Sequence, residues 1–144
     1  IKEEEYENFK RKFEEVVTET IDRKLLTPEI SIDAELELDE ITPKFWRILK
    51  QFAPFGPGNM SPVFMSRNLT DSGFGKCVGK EETHLKCRVT QLENKSSFNV
   101  IGFNLGEKLD IIKDKKIFSA VYSVDENEWN GNVSLQLRFK DIKE

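Results

Sequence analysis

The spacing of apolar residues changes along the chain, and each spacing predicts a different element. In residues 3–23 the apolar side chains recur mostly at steps of three and four, which predicts one amphipathic helix. Residues 30–38 alternate between apolar and polar side chains, which is typical of a half-buried strand with an acidic outer face. Thr42 and Pro43 suit the N-cap and the first position of a short second helix.

From residue 62 onward the pattern is mostly that of short strands. A short helix or turn at 108–112 interrupts them, and the last two strands form a hairpin around residues 125–131. If the first strand lies outside the barrel, five strands remain, with one helical insert between the third and the fourth. The OB-fold is the natural candidate for such a chain. The predicted fold class is therefore mainly β, an OB-fold-like small β-barrel preceded by a helix, a strand and a short helix. The six predicted strands are 63–67, 76–78, 84–90, 98–103, 117–124 and 132–140.

A turn rich in proline and glycine separates the second helix from these strands. Proline fixes φ and lacks an N–H group, and glycine accepts backbone conformations that other residues avoid, so the helix must end here. An aromatic residue inside so rigid a turn is unusual for a plain linker. We therefore single out this motif loop, which consists of Pro54, Phe55, Gly56, Pro57, Gly58 and Asn59.

Charge and cysteine content narrow the classes of function. The 144 residues carry a net charge of −4, divided into −5 over residues 1–59 and +1 over residues 60–144. Nucleic-acid-binding modules usually show a clear basic excess, so we expect any DNA binding by the second half to be weak. The two cysteines lie in strand-like runs and are expected to be free thiols of a cytoplasmic protein. No signal peptide is visible and no apolar run approaches the ~20 residues that span a bilayer, so no membrane association is expected.

Two of the predicted strands place cations on their outer faces. In strand 84–90 the alternation directs Lys86 and Arg88 outward, and in strand 132–140 it directs Arg138 and Lys140 outward. If the two faces border one groove, they offer four cations to a phosphate backbone. From spacing alone, ordinary solvated surface cations are the more common explanation.

The other residues considered as candidates are Trp129, His84 and the carboxylates. Trp129 precedes the tight-turn pair Asn130-Gly131, where it either stacks on a nucleobase or packs over the barrel end or against a neighbouring domain. A lone histidine, His84, cannot build a metal site and is expected to be a hydrogen-bonding surface residue. The carboxylates have no neighbouring base or phosphate-binding glycine loop, so no catalytic residue and no metal site is predicted.

Segments along nearly the whole chain resemble the RecJ single-strand-specific exonucleases, which belong to the DHH phosphoesterases. The Pro/Gly/Phe loop and the Trp-Asn-Gly hairpin are specific in combination, whereas either alone is weak. Met60 departs from the family, which usually has proline after the Gly-Asn pair. The matching segments are 32–36, 53–59, 62–64, 78–80, 84–86, 101–103, 126–131 and 134–137.

The resemblance implies a parent enzyme that removes nucleotides from single-stranded DNA in the 5′-to-3′ direction, with Mn²⁺ or Mg²⁺ held by aspartates and histidines of a DHH domain. The DHH and Gly-Gly-His motifs of that enzyme do not occur in these 144 residues. The chain is therefore expected to be a non-catalytic C-terminal fragment without a cofactor of its own. In this interpretation residues 1–59 are the tail of the DHH-associated domain and its connecting helix, and residues 60–144 are the OB-fold domain.

The expected function is single-stranded DNA binding within an exonuclease of DNA repair and recombination. The expected partners are single-stranded DNA, bound weakly by this chain alone, and the missing catalytic domains of the same protein. The DNA-binding candidates are Lys86, Arg88, Trp129, Arg138 and Lys140. An OB-fold that contacts a repair protein, or one that only rigidifies its parent, is the alternative.

Overall fold

A computed structural model describes residues 2–92 and 95–144, apart from the side chain of Trp129. Contacts divide the chain into two units, residues 1–30 and residues 31–144. Residues 31–59 thus group with the strands, and the assignment of residues 1–59 to a DHH-associated domain stays a prediction. In the part of the chain that the structure describes, no helix is both long and apolar enough to cross a membrane.

The first unit is built around one helix, as the apolar period predicts. A 3-10 turn at Glu3–Glu5 leads into α1, Tyr6–Thr20, and a second 3-10 turn covers Arg23–Leu26. Glutamates in the first turn suit the positive end of the helix dipole. Four side chains of the apolar stripe on α1 are exposed, namely Tyr6, Phe9, Phe13 and Val16, and the rings of Phe9 and Phe13 stack on each other.

The strand predicted at 30–38 is wrong over most of its length. Only β1, Ala34–Glu35, has strand geometry, and it pairs in parallel with the next strand. Ile30 and Ile32 are exposed, because the partner strand begins only opposite Ala34. Leu38 is buried, but it sits in a 3-10 turn at Leu38–Glu40.

The second helix is confirmed, and its first residues explain where it begins. α2 spans Pro43–Leu49, and the hydroxyl of Thr42 accepts a hydrogen bond from the backbone N–H of Phe45 at 3.1 Å. This bond satisfies one of the N–H groups that a helix start leaves unpaired. A 3-10 turn, Lys50–Phe52, continues α2 to the motif loop.

The strands after β1 are β2 Phe64–Asp71, β3 Lys76–Val78, β4 His84–Gln91, β5 Ser97–Gly102, β6 Phe118–Trp129 and β7 Asn132–Lys143. Among the described residues, seven strands form one sheet in the order β1-β2-β6-β7-β5-β4-β3. An additional pairing between β2 and β4 joins the sheet to itself, so that β2, β6, β7, β5 and β4 form a closed ring. The parallel pairing of β5 with β7 and the helical insert between β5 and β6 complete the OB topology.

The structure corrects which predicted strand lies outside the ring. β2, considered as the outlying strand, pairs with both β6 and β4 and is four residues longer than expected at its C-terminal end. The outlying strand is β3, which pairs with β4. The insert is a 3-10 turn at Gly106–Lys108 followed by α3, Leu109–Ile112.

The core fills the inside of the ring with alternate residues of each strand. Phe64, Tyr122 and Phe139 pack ring against ring at centroid distances of 6.2–6.4 Å. The hydroxyl of Tyr122 pairs with that of Ser66 at 2.7 Å, which satisfies both buried polar groups. Leu85, Cys87 and Val89 of β4 point into this core, as the alternation predicts.

The last hairpin is longer than the sequence suggests. Residues 125–129, expected to be loop, belong to β6, and the turn is the two-residue pair Asn130-Gly131 with φ of 50° and 78°. Positive φ at both positions is the signature of the tight turn that matches strand twist. Val133 is exposed, although the alternation that directs Arg138 and Lys140 outward would turn it toward the core. The reason is that β7 joins β5 only from Gln136 to Phe139, and its earlier residues extend beyond the ring.

Candidate nucleic-acid interface

The outer faces of β4 and β7 lie on the same side of the sheet, with β5 between them. Lys86 of β4 stands opposite Ile101 of β5, which stands opposite Arg138 of β7. Arg88, Asn99 and Gln136 form a second row, one step along the strands. The pairing of β5 with both strands therefore brings three of the predicted cations, Lys86, Arg88 and Arg138, onto one continuous surface, the β4-β5-β7 face.

A first open cleft of about 510 Å³ lies at the β3 side of this face. It is lined by Lys76, Lys86 and Arg88, together with Asn99 and the loop before β3. The guanidinium of Arg88 donates two hydrogen bonds to the hydroxyl of Ser97, at 2.9 and 3.2 Å, which hold its charge at the cleft wall. Lys76 and Lys86 form no ion pair with any residue that the structure describes, so their charges are available to an anion.

A second cleft of about 440 Å³ lies at the β7 side and shares Lys86 with the first. Arg138 lines it with its guanidinium carbon 4.9 Å from the ring centre of Phe103, a cation–π contact. The ring of His84 also contacts Phe103 edge-on, with the two ring centres 5.2 Å apart. The phenylalanine and its two partners thus form an ordered aromatic and cationic cluster at one end of the face.

The second cleft also contains acidic groups that oppose a phosphate. Asp125 and Glu126 of β6 line it with Lys86 and Arg138. Glu126 is bonded to the ammonium of Lys50 at 2.8 Å, and this hydrogen bond holds the pKa of the Glu126 carboxyl below its usual range. The first cleft is therefore the more cationic of the two.

The remaining single residues considered in the sequence are Lys140, Trp129 and His84. Lys140 is exposed at the bulge of β7, where the register against β6 shifts, and it lines neither of the two clefts. The backbone of Trp129 ends β6, but its side chain lies outside the described part of the structure, so its stacking role stays a prediction. His84 accepts a hydrogen bond from the backbone N–H of Asn104 at 3.2 Å, which fits a surface hydrogen-bonding residue. The DNA-binding role of all five candidates stays a prediction.

The motif loop is a small closed structure. Gly56 and Asn59 exchange two backbone hydrogen bonds of 2.8 and 2.9 Å around a turn with Pro57 and Gly58 at its centre, and Gly58 has φ of +82°. Proline followed by glycine at positive φ is the pattern of a type II turn. The side-chain amide of Asn59 donates to the carbonyl oxygens of Phe52 and Pro54, at 2.8 and 2.9 Å, and ties the loop to the end of the preceding helix. The peptide bond between Ala53 and Pro54 is cis.

Sequence reasoning missed several residues that border the clefts. Phe74 lies between two glycines and is 66% exposed, and Phe103 is 46% exposed. Lys76 sits on β3, whose three residues are too few for alternation to assign a face, and Asn99 is polar without charge. The one available signal was the Gly73-Phe74-Gly75 triplet, because an aromatic residue flanked by glycines rarely belongs to a strand interior.

The residues present do not fit the metal ions that the resemblance implies for the parent enzyme. Among the described residues, no three or more His, Cys, Asp or Glu side chains are grouped to hold an ion. His84, the one histidine, already receives a backbone hydrogen bond at its Nδ1 atom.

Comparison with known proteins agrees with the fold. A crystal structure of RecJ in complex with Mn²⁺ from Thermus thermophilus superposes with a TM-score of 0.71, and one in complex with Mg²⁺ with a TM-score of 0.68. Both are 20% identical in sequence, and both matches cover all of this chain but only 20–21% of the RecJ chain. At this identity the likeness shows the fold.

Sequence comparison establishes the family. The chain is 30% identical to the single-stranded-DNA-specific exonucleases RecJ of Salmonella typhimurium and of Escherichia coli, over 99% of its own length. It spans only 24% of the length of either relative. The profile of the RecJ OB domain matches residues 32–141. The chain therefore belongs to the RecJ OB-domain family.

Proposed function

We propose that this chain is the part of a RecJ-type 5′-to-3′ exonuclease that binds single-stranded DNA. The observation that carries this proposal is the β4-β5-β7 face, where Lys86 connects a cleft containing Arg88 with one containing Arg138. The corresponding face and loops of OB-folds bind oligonucleotides. The relatives' name, single-stranded-DNA-specific exonuclease, supports the same ligand.

The chemistry of the face favours binding without sequence recognition. Lysine and arginine contact phosphates, and such contacts carry affinity that falls steeply as salt displaces them. The strand half of the chain has a net charge of only +1, and Asp125 and Glu126 lie beside the cations in the second cleft. We therefore expect weak affinity from this chain alone and a stronger complex in the parent protein.

The chain is not expected to cut DNA itself. The parent would be a cytoplasmic enzyme of DNA repair and recombination, whose catalytic domains hold Mn²⁺ or Mg²⁺ and use this OB-fold to retain the strand. In this proposal residues 1–59 connect the catalytic part to the barrel. The chain's partners are then single-stranded DNA and the rest of its own protein.

The test measures fluorescence anisotropy of a labelled single-stranded oligonucleotide at increasing salt. We expect Arg88→Ala plus Arg138→Ala to weaken binding. The slope of log affinity against log salt concentration should decrease by the contribution of about two phosphate contacts. Lys113→Ala plus Lys115→Ala removes the same charge from the 3-10 turn Lys113–Lys115 after α3, whose residues line neither cleft, and should change binding much less. Equal binding by the arginine variant and the unchanged chain would overturn the proposal.

A second candidate function, contact with another part of the protein, has its own supporting observation. A cleft of about 270 Å³ beside α2 is lined only by apolar residues, and Phe52 and Ile48 at its edge are at least half exposed. Exposed apolar surface of this kind marks contact sites. The two functions are compatible, because this cleft and the cationic clefts have no lining residue in common.

A further inference from the structure

An exposed phenylalanine borders the more cationic cleft on a short loop between β2 and β3. Phe74 is 66% exposed, although aromatic side chains gain most from burial. It lines the first cleft together with Lys76, Lys86 and Arg88. An exposed aromatic ring beside three cations is the combination by which proteins hold single-stranded nucleic acids.

A buried carboxylate fixes the loop that carries this ring. Asp71, at the end of β2, is 6% exposed, and its Oδ2 atom accepts hydrogen bonds from the backbone N–H groups of Gly73 and Gly75, both at 2.9 Å. Its Oδ1 atom accepts from the N–H of Arg88 at 3.3 Å. Asp71 thereby holds the loop in shape and ties it to β4, one of the two cation-bearing strands.

The glycines on either side of Phe74 suit this geometry. Gly73 has φ of +90°, a conformation that side chains disfavour. A Cβ atom on Gly75 would lie 3.1 Å from the side chain of Ile112 and 3.2 Å from the Asp71 carboxylate. The triplet therefore places one aromatic ring at the cleft on a backbone that is ordered before any ligand arrives, which lowers the entropy cost of binding.

We propose that Phe74 stacks on an unpaired nucleobase while Lys76, Lys86 and Arg88 hold the neighbouring phosphates. Asp71 is the positioning residue of this subsite. The inference rests on the proposed function, because it names where on the β4-β5-β7 face a base is held. A nucleobase covers the ring and leaves the phosphates beside the cations, so one ligand satisfies both kinds of group in the cleft.

The surroundings of a second exposed phenylalanine argue for this choice of ligand. Phe52 is 62% exposed, close to the value for Phe74, but its cleft is lined only by apolar residues. That surface suits another apolar protein surface. Phe74 instead shares its cleft with three cations and the amide of Asn99, which suits a charged and partly polar ligand.

The experiment is a double-mutant cycle between the protein and the DNA. Binding of a single-stranded oligonucleotide, about 16 nucleotides long to cover an OB-fold site, is measured by anisotropy for the unchanged chain and for Phe74→Ala. The same measurements use oligonucleotides that lack one base at successive positions. Phe74→Trp keeps an aromatic ring, and Phe52→Ala is the matched control at an equally exposed phenylalanine.

We expect Phe74→Ala to weaken binding about fivefold or more, the range of one base–aromatic stack. Phe74→Trp should retain binding, and Phe52→Ala should not change it. For the oligonucleotide that lacks the stacked base, the unchanged chain and Phe74→Ala should bind with equal affinity. Asp71→Asn keeps one acceptor oxygen and should weaken binding less than Phe74→Ala.

The outcomes separate this inference from the function on which it rests. If the chain binds DNA through Arg88 and Arg138 but Phe74→Ala binds equally well, the stacking subsite is wrong and the proposed function stands. If Phe74→Ala weakens binding of every oligonucleotide, whichever base is missing, the ring contacts the DNA backbone and the inference fails. If the unchanged chain binds no DNA even at low salt, both fail.

Discussion

At the residue scale, single polar side chains determine the shape of the loops in this protein. Asn59 closes the motif loop by donating to two carbonyl oxygens, and Asp71 closes the β2–β3 loop by accepting from backbone N–H groups. Both side chains bond to backbone N–H or C=O groups. In loops these groups lack the partners that helices and strands supply. The loops that carry the sequence motifs are thus defined by side chain to backbone bonds.

Removal of the Asn59 amide should loosen the motif loop measurably. Asn59→Ala loses the N–H donors to the carbonyl oxygens of Phe52 and Pro54 and should lower the free energy of unfolding by about 1–2 kcal/mol, the net value of two hydrogen bonds. Asn59→Asp also sets a carboxylate against these two carbonyl oxygens and should lower it at least as much. Urea unfolding measures this loss. The neighbouring control Met60→Ala, at a largely exposed position, should stay within about 0.5 kcal/mol. Equal stability of both Asn59 variants and the unchanged chain would show that the amide does not hold the loop.

At the element scale, the long β6–β7 hairpin extends beyond the ring and depends on its own turn. Eleven residue pairs connect the two strands, but β7 pairs with β5 at only four positions. The hairpin tip therefore receives little support from the barrel. Its register rests on the Asn130-Gly131 turn and on cross-strand contacts.

Replacement of the turn glycine should cost stability through backbone conformation alone. Gly131 has φ of +78° and no heavy atom near the position of a Cβ, so Gly131→Ala should lower the free energy of unfolding by about 1–2 kcal/mol without a steric clash. Gly56→Ala is the matched control, because its Cβ position is also open and its φ is not in the left-handed region. That variant should be neutral or slightly more stable. The hypothesis would be abandoned if thermal unfolding gave the same loss for both variants.

At the scale of the whole molecule, the closed barrel keeps two weak acids away from water. Burial raises the pKa of the Cys87 thiol to about 12, and the nearby charge of Asp71 adds to this effect. Burial also raises the pKa of the Tyr122 hydroxyl to about 12, against the opposing effect of its hydrogen bond to Ser66. Both groups therefore keep their protons in the folded chain at pH values where the unfolded chain loses them.

The barrel should consequently lose stability in alkaline solution. In the unfolded chain the thiol and the phenol ionise near their ordinary pKa values of 9.0 and 10.0, so above pH 9 the unfolded state binds fewer protons than the folded state. The stabilisation is complete below pH 9 and decreases as pH rises toward 12. Urea unfolding at a series of pH values measures this slope. Cys87→Ala and Tyr122→Phe should each flatten it, and an unchanged slope in both variants would contradict the assignment.

The amino-acid sequence by itself determined the type and order of most elements. Short strand-like runs located β3, β4 and β5 to within one residue, and Thr42-Pro43 located the start of α2, because these signals are local. The same local alternation separated the core residues of β4 from Lys86 and Arg88. The family resemblance also came from residues that can be read directly, the Pro/Gly/Phe loop and the Trp-Asn-Gly hairpin.

Only the tertiary structure decided how these elements combine. The alternating segment 30–38 forms two residues of strand because its partner β2 begins late, and β2 belongs to the ring because β4 and β6 are available on its two sides. The position of Arg138 beside Lys86 depends on the parallel pairing of β5 with β7 across a long stretch of chain. Phe74 becomes part of the cationic cleft through the hydrogen bonds of Asp71 to the loop and to β4. Each of these outcomes depends on contacts between residues distant in sequence, which local periodicity does not encode.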